Sequence, residues 1–171
     1  MVKRQEVHII GGGTIAHIRP HLALAAPAYG QSAKEIEDLA VEAWEPDLKV
    51  VLHLTHMACG DRFAPETNQD VANLVEDLVA NPETKVIFMP VALCDFEGSV
   101  VENGSKTPSG KNQPRLKTAD GNHTLEMTPA NKVISKVRKE RKDIFLVGFK
   151  TTAGQEDEDE QFKAGLDLLK K

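Results

Sequence analysis

Cys59 and Cys94 are the only thiols in a chain of 171 residues. So little cysteine, with no apolar run near the start to act as a signal or a membrane span, points away from an oxidising compartment and toward the cytoplasm. The stretch poorest in charge, Pro20 to Lys34, is broken by Pro20, Pro27 and Gly30, so it is expected as an irregular loop and not as a span. Positive charge is also in deficit. The 21 Lys and Arg against 26 Asp and Glu leave a formal charge of −5, and the pI is about 5.7. That balance argues against nucleic acid as the partner and for a small metabolite, while allowing a local cationic pocket. No internal repeat is present. A chain of this length that is 40% hydrophobic suits one domain spanning residues 1–171.

What is present is an alternation of short apolar runs with amphipathic stretches. Val7-His8-Ile9-Ile10 closes on three glycines and reads as a strand buried on both faces. Ser32 to Glu35 has a capping-box pattern, followed by Ile36, Leu39, Ala40 and Ala43 at helical spacing, so a helix is predicted from near Ser32. Lys49 to Leu54 predicts a second strand. Thr67 to Asp70 opens a second helix with Val71, Leu74, Val75, Leu78 and Val79 on one face, and Val86 to Met89 supplies a third strand. Glu97 to Asn122 turns to Gly, Ser, Asn, Pro and Lys and is expected as a long polar loop. Leu125 to Met127 suggests a short strand, Asn131 to Arg141 a helix, and Ile144 to Phe149 a final strand. A closing helix carries Glu156 to Glu160 at its start and Lys170 and Lys171 at its end, in keeping with the helix dipole. The expected fold is α/β, a mostly parallel sheet with helices on its faces.

Four groups of residues carry candidate chemistry. Gly11-Gly12-Gly13-Thr14 follows a strand, where its amides and the Thr14 hydroxyl would face a phosphate or carboxylate, or where the glycines would form a tight turn for packing. The segment lacks the third spaced glycine of the dinucleotide fingerprint and the Gly-Lys-Ser/Thr ending of a P-loop. Asp95 follows the third strand, where ligands bind in open α/β sheets, although an Asx turn would read the same. Arg115, Lys117, Lys132 and Lys150 are cations that would neutralise phosphates if gathered. His53, His56 and Cys59 recur every three residues but lack a fourth ligand, so no metal site is expected from them. Cys59 and Cys94 are expected as small buried residues, and the run Glu156 to Glu160 as a solvated helix start.

Taken in order, these segments resemble the phosphopantothenoylcysteine synthetase family, the phosphopantothenate–cysteine ligases of coenzyme A biosynthesis. Ile9-Ile10-Gly11-Gly12-Gly13-Thr14 is similar to the family's opening strand and glycine loop, with Ile18-Arg19 at its Val-Arg pair and Gly30 at a later glycine. Pro90 to Phe96 resembles its Ala-Val-x-Asp-Tyr segment, and Arg115-Leu116-Lys117 its Lys-Ile-Lys/Ser segment. Leu125 to Ile134 resembles the approach to its Pro-Lys-Ile-Ile element, and Leu146-Val147-Gly148-Phe149-Lys150 its monofunctional members.

The resemblance implies a Rossmann-like (ribokinase-like) three-layer domain, a homodimer, and Mg²⁺-dependent use of CTP or ATP to activate a phosphopantothenate-like carboxylate as an acyl nucleotide, which the amine of cysteine then attacks. It further implies that Gly11, Gly12, Gly13, Thr14, Ala92, Asp95, Lys117, Lys132 and Phe149 surround the nucleotide. Lys117 and Arg19 are implied as the catalytic pair, with Arg19 on the substrate side. Two departures stand out. Ala23 occupies the place of the family's asparagine, which handles the acyl nucleotide. The chain also stops at Lys171, where the family continues into a strand with Ala-Asn-Asp, so a shortened domain is expected.

Overall fold

A computed structural model describes residues 4–150 and 157–169. Its centre is a parallel sheet of four strands in the order β4-β1-β5-β9: β1 (Glu6–Gly11), β4 (Lys49–Leu54), β5 (Thr84–Met89) and β9 (Phe145–Gly148). These are the four apolar runs predicted as strands, and the sheet is Rossmann-like.

Consecutive side chains of β1 go to opposite faces. Ile9 meets Ala33, Ile36, Ala40 and Trp44 of helix α1 (Gln31–Trp44). Ile10 meets Val71, Val75 and Val79 of α3 (Asn68–Ala80) and Val133 and Val137 at α4 (Ile134–Glu140). Helices on both faces of one sheet make three layers, and the two helical faces hold the core.

The capping-box pattern, read from sequence at Ser32 to Glu35, is found instead at α3, where the Thr67 hydroxyl accepts from Asp70 N and the Asp70 carboxylate accepts from Thr67 N. It fails at α1, whose cap is Gly30 at φ 76° with no side-chain cap. The chain turns there beside Leu54 and Ala58, where a Cβ would meet atoms at 2.9 and 3.1 Å, so space and backbone conformation both require glycine.

Two expected loops contain strands. The glycine segment runs directly into β2 (Thr14–Arg19), which pairs antiparallel with β3 (Leu22–Ala26) inside the stretch expected to be irregular. The first part of the expected long polar loop is β6 (Phe96–Glu102) and β7 (Ser105–Lys106). With β8 (Thr124–Pro129) they form an antiparallel sheet in the order β7-β6-β8. Only Gly98 and Val100 of β6 point fully inward, and a strand apolar on so few positions reads as loop. The β2–β3 hairpin packs on β6, with Ile18 against Gly98. A four-residue helix α2 (His56–Cys59) follows β4. A last helix α5 (Glu158–Leu169) begins with Glu158, Asp159 and Glu160 in its first turn; Glu156, Lys170 and Lys171 lie outside the described residues.

Candidate functional site

The chain leaves β1 toward β4 on one side, and β5 lies on the other. The carboxyl ends of β1 and β5 therefore flank the topological switch point, where open α/β sheets bind ligands. Gly11 to Thr14 and Val91 to Asp95 meet there. Gly13 bridges Ala92 in parallel, Thr14 N donates to Ala92 O at 3.0 Å, and Ala92 N donates to Gly12 O at 2.9 Å.

All three glycines are buried, and each is pressed against a neighbour. A Cβ would lie 2.1 Å from Ala33 Cβ at Gly11, 2.1 Å from Thr55 Oγ1 at Gly12, where φ is 103°, and 2.1 Å from Ala26 O at Gly13. This is the geometry of close packing. Thr14, read from sequence as a donor to a ligand, is fully buried. Its hydroxyl donates to Asn68 Oδ1 at 2.7 Å, with Ala92 O a second acceptor at 3.2 Å, and accepts from Cys94 N at 3.0 Å. Asn68 Nδ2 in turn donates to Cys94 O at 2.8 Å. Asn68 thus ties the glycine segment to the chain leaving β5. Nothing in the sequence singles it out, because its partners lie 54 and 26 residues away.

Three expected nucleotide residues lie in segments near the carboxyl ends of β5 and β9. Asp95 is exposed, and its carbonyl accepts from Ala130 N at 2.8 Å, which brings Lys132 to the same edge just ahead of α4. Phe149 follows Gly148, which is in register with Met89 and lies against Ile134 of α4; its ring is 55% exposed. Lys117 is exposed at the head of the short 3₁₀ turn Thr118–Asp120. Among the described residues no hydrogen bond or ion pair joins it to Asp95, Lys132 or Phe149.

Arg19 is placed differently from its expected substrate-side position. It is 4% exposed, and its guanidinium donates to Ile18 O at 2.7 Å, Pro108 O at 2.9 Å and Thr107 Oγ1 at 2.7 Å. A planar fork holding carbonyls in this way is a strut for the loop after β7.

Beside the glycine segment, a cleft of about 730 Å³ opens between β2, β6, β8 and the start of α3, with Lys111 at its side. His17 and Glu66 face each other in it, His17 Nε2 lying 3.4 Å from Glu66 Oε1, and Lys111 Nζ pairs with Glu66 Oε2. Burial acts to raise the Glu66 carboxyl. The hydrogen bond and charge of Lys111, with His17 adding to them, outweigh it and hold the group below the ordinary carboxylate range.

His53, His56 and Cys59 scatter. The His53 ring lies 3.1 Å from His8 Nδ1, His56 Nδ1 is 2.8 Å from Asp61 O, and the Cys59 thiol reaches Thr55 O at 3.3 Å. Among the described residues no three His, Cys, Asp or Glu are grouped to hold a metal ion. Cys94 is buried as expected, whereas Cys59 is exposed. Among the described residues no helix is long and apolar enough to cross a membrane.

No family model matches the chain, and no curated protein matches it in sequence. Solved structures do match in fold. One is the DNA/pantothenate metabolism flavoprotein from Streptococcus pneumoniae, at TM-score 0.76 and 18% identity over 96% of this chain and 77% of that one. Another is the C-terminal domain of the coenzyme A biosynthesis bifunctional protein CoaBC, at TM-score 0.57 and 17% identity over 95% of this chain and 71% of that one. The chain therefore has a Rossmann-like fold of the kind seen in these two proteins, one of pantothenate metabolism and one of coenzyme A biosynthesis.

Proposed function

We propose that the chain is a ligase of the phosphopantothenate–cysteine type acting in coenzyme A biosynthesis. What supports the reading is the place of Asp95, exposed beyond the switch point and tied by its carbonyl to Ala130, two residues before Lys132, in a fold shared with one protein of pantothenate metabolism and one of coenzyme A biosynthesis. CTP or ATP binds along the carboxyl edge of the sheet, with its base on the Phe149 ring, its phosphates toward Lys132 and Lys117, and Gly11 to Thr14 and Ala92 backing one wall. Mg²⁺ would come with the nucleotide, held mainly by its phosphates. When bound, Mg²⁺ neutralises charge on the reacting phosphate.

The protein's own part is positional. A carboxylate laid against the α-phosphate becomes an acyl nucleotide, and cations fixed beside the phosphates stabilise the charge that develops. A homodimer in the cytoplasm completes the proposal. Leu125 and Met127 on β8 and Phe96 on β6 are exposed and offer the apolar face for it.

The test is to incubate the chain with Mg²⁺, labelled CTP or ATP and phosphopantothenate, with and without cysteine. Release of nucleoside monophosphate that requires the acid supports the reading. Tight nucleotide binding without turnover overturns it and leaves a nucleotide-binding protein without catalysis, a second reading that Ala23 in place of an asparagine favours.

A further inference from the structure

The cleft beside the glycine segment holds groups that the nucleotide edge does not use. His17 Nε2 is buried without a hydrogen bond, and at 3.4 Å from Glu66 Oε1 it lies beside the carboxylate without an aligned hydrogen bond to it. Glu66 is fixed from every side. Its second carboxylate oxygen pairs with Lys111, its carbonyl accepts from Ile15 N at 2.9 Å, and its N donates to Asp70 Oδ2 at 3.1 Å. A carboxylate locked beside an imidazole orients the ring and stabilises the cation that forms when the ring takes a proton.

The cleft gives that ring something to act on. The His17 side chain is 17% exposed, and it lines the cleft. Across the hairpin it is in register with Ala23, so only a methyl group stands opposite the imidazole. The cleft also reaches Asn68, which holds both main-chain polar groups of Cys94, and Glu97, two residues past Asp95. It therefore opens beside the proposed nucleotide edge.

Resting on the ligase reading above, we propose that this cleft seats the acceptor, a small amino acid, and that His17 takes the proton its amine gives up. The neutral amine nitrogen attacks the acyl carbon of the acyl nucleotide and the C–N bond forms. The bond from that carbon to the phosphate oxygen breaks, and its electron pair leaves on the nucleoside monophosphate. The extra proton on nitrogen passes to Nδ1 of the neutral His17 ring, the nitrogen away from Glu66, and then to water.

The experiment compares two rates in the full chain: acid-dependent exchange of labelled pyrophosphate into the nucleotide, which reports activation, and transfer to cysteine. In His17→Ala the ratio of transfer to exchange falls by about 10²-fold or more, the usual size of a general-base contribution, and added imidazole restores part of it. His17→Gln, which keeps most of the side-chain volume, shows the same fall with an unchanged melting temperature. Wild-type ratios in both variants overturn the proposal, as does an equal loss of exchange and transfer in a folded variant. Absence of exchange in the wild-type chain with either nucleotide overturns the ligase reading itself, and this inference falls with it.

Discussion

Gly12 carries two demands at once: a φ of 103° and a Cα that faces the Thr55 hydroxyl at a distance no side chain tolerates. Gly12→Ala should therefore lower stability by about 1–3 kcal/mol from crowding, with backbone strain of similar order added. A lower midpoint in chemical denaturation checks this, and an unchanged midpoint would show that the segment relaxes freely. Asn68→Ala should cost about 1–3 kcal/mol for the buried groups left unpaired, because Cys94 O loses its donor and the Thr14 hydroxyl its nearer acceptor. At the nucleotide edge, Asp95→Ala or Lys132→Ala should each weaken nucleotide binding about tenfold, the loss of one charged contact; calorimetry giving unchanged affinity would remove that residue from the site. Sequence picks out Asp95 because it follows the third strand, while Phe149 enters only through the family resemblance. It does not reveal that Arg19 is a buried strut, nor that Asn68 is a clamp, since both roles come from partners far away in the chain.

Among the elements, β1 and β4 share a buried polar contact within the parallel sheet. His8 is 3% exposed, and its Nδ1 lies 3.1 Å from His53 Nε2. Burial pushes both imidazoles below their ordinary 6.5, His53 to about 4, with each ring's neighbours Glu6 and Lys49 acting in opposite senses. The folded chain therefore keeps His53 neutral where the unfolded chain would protonate it. Stability from this source is complete above about pH 6.5 and is lost as the pH falls toward about 4. Urea midpoints should drop across that window, and His53→Leu should flatten the drop; equal slopes in both chains would contradict the assignment.

The four strands of the parallel sheet were legible because each carries a largely continuous apolar run, which at β1 is buried on both faces. By contrast β3 exposes most of its side chains and β6 buries fully only Gly98 and Val100, so their alanines, glycines and polar residues resemble loop, while β8 was legible as the short strand around Leu125 to Met127. The start of α1 misled for a local reason. A serine with glutamate three residues on satisfies the capping pattern, but the chain must bend at Gly30 to pass Leu54 and Ala58.

For the whole molecule, the three-layer sheet places its crevice between the ends of β1 and β5, and the added antiparallel sheet carries the second wall. The exposed apolar residues of that sheet, Leu125 and Met127, which share the face of Val100 and Gly98, are the surface proposed for the dimer. Met127→Asp should give a monomer by light scattering, and a dimer that survives the change would move the contact elsewhere. The reaction proposed for this crevice joins an activated acid to an amine. Mass spectrometry of a reaction holding the chain, Mg²⁺, CTP or ATP, phosphopantothenate and cysteine tests that most directly. The account predicts an amide of the acid and cysteine, formed one for one with nucleoside monophosphate. Nucleotide bound tightly but recovered unchanged, with no amide, would contradict it.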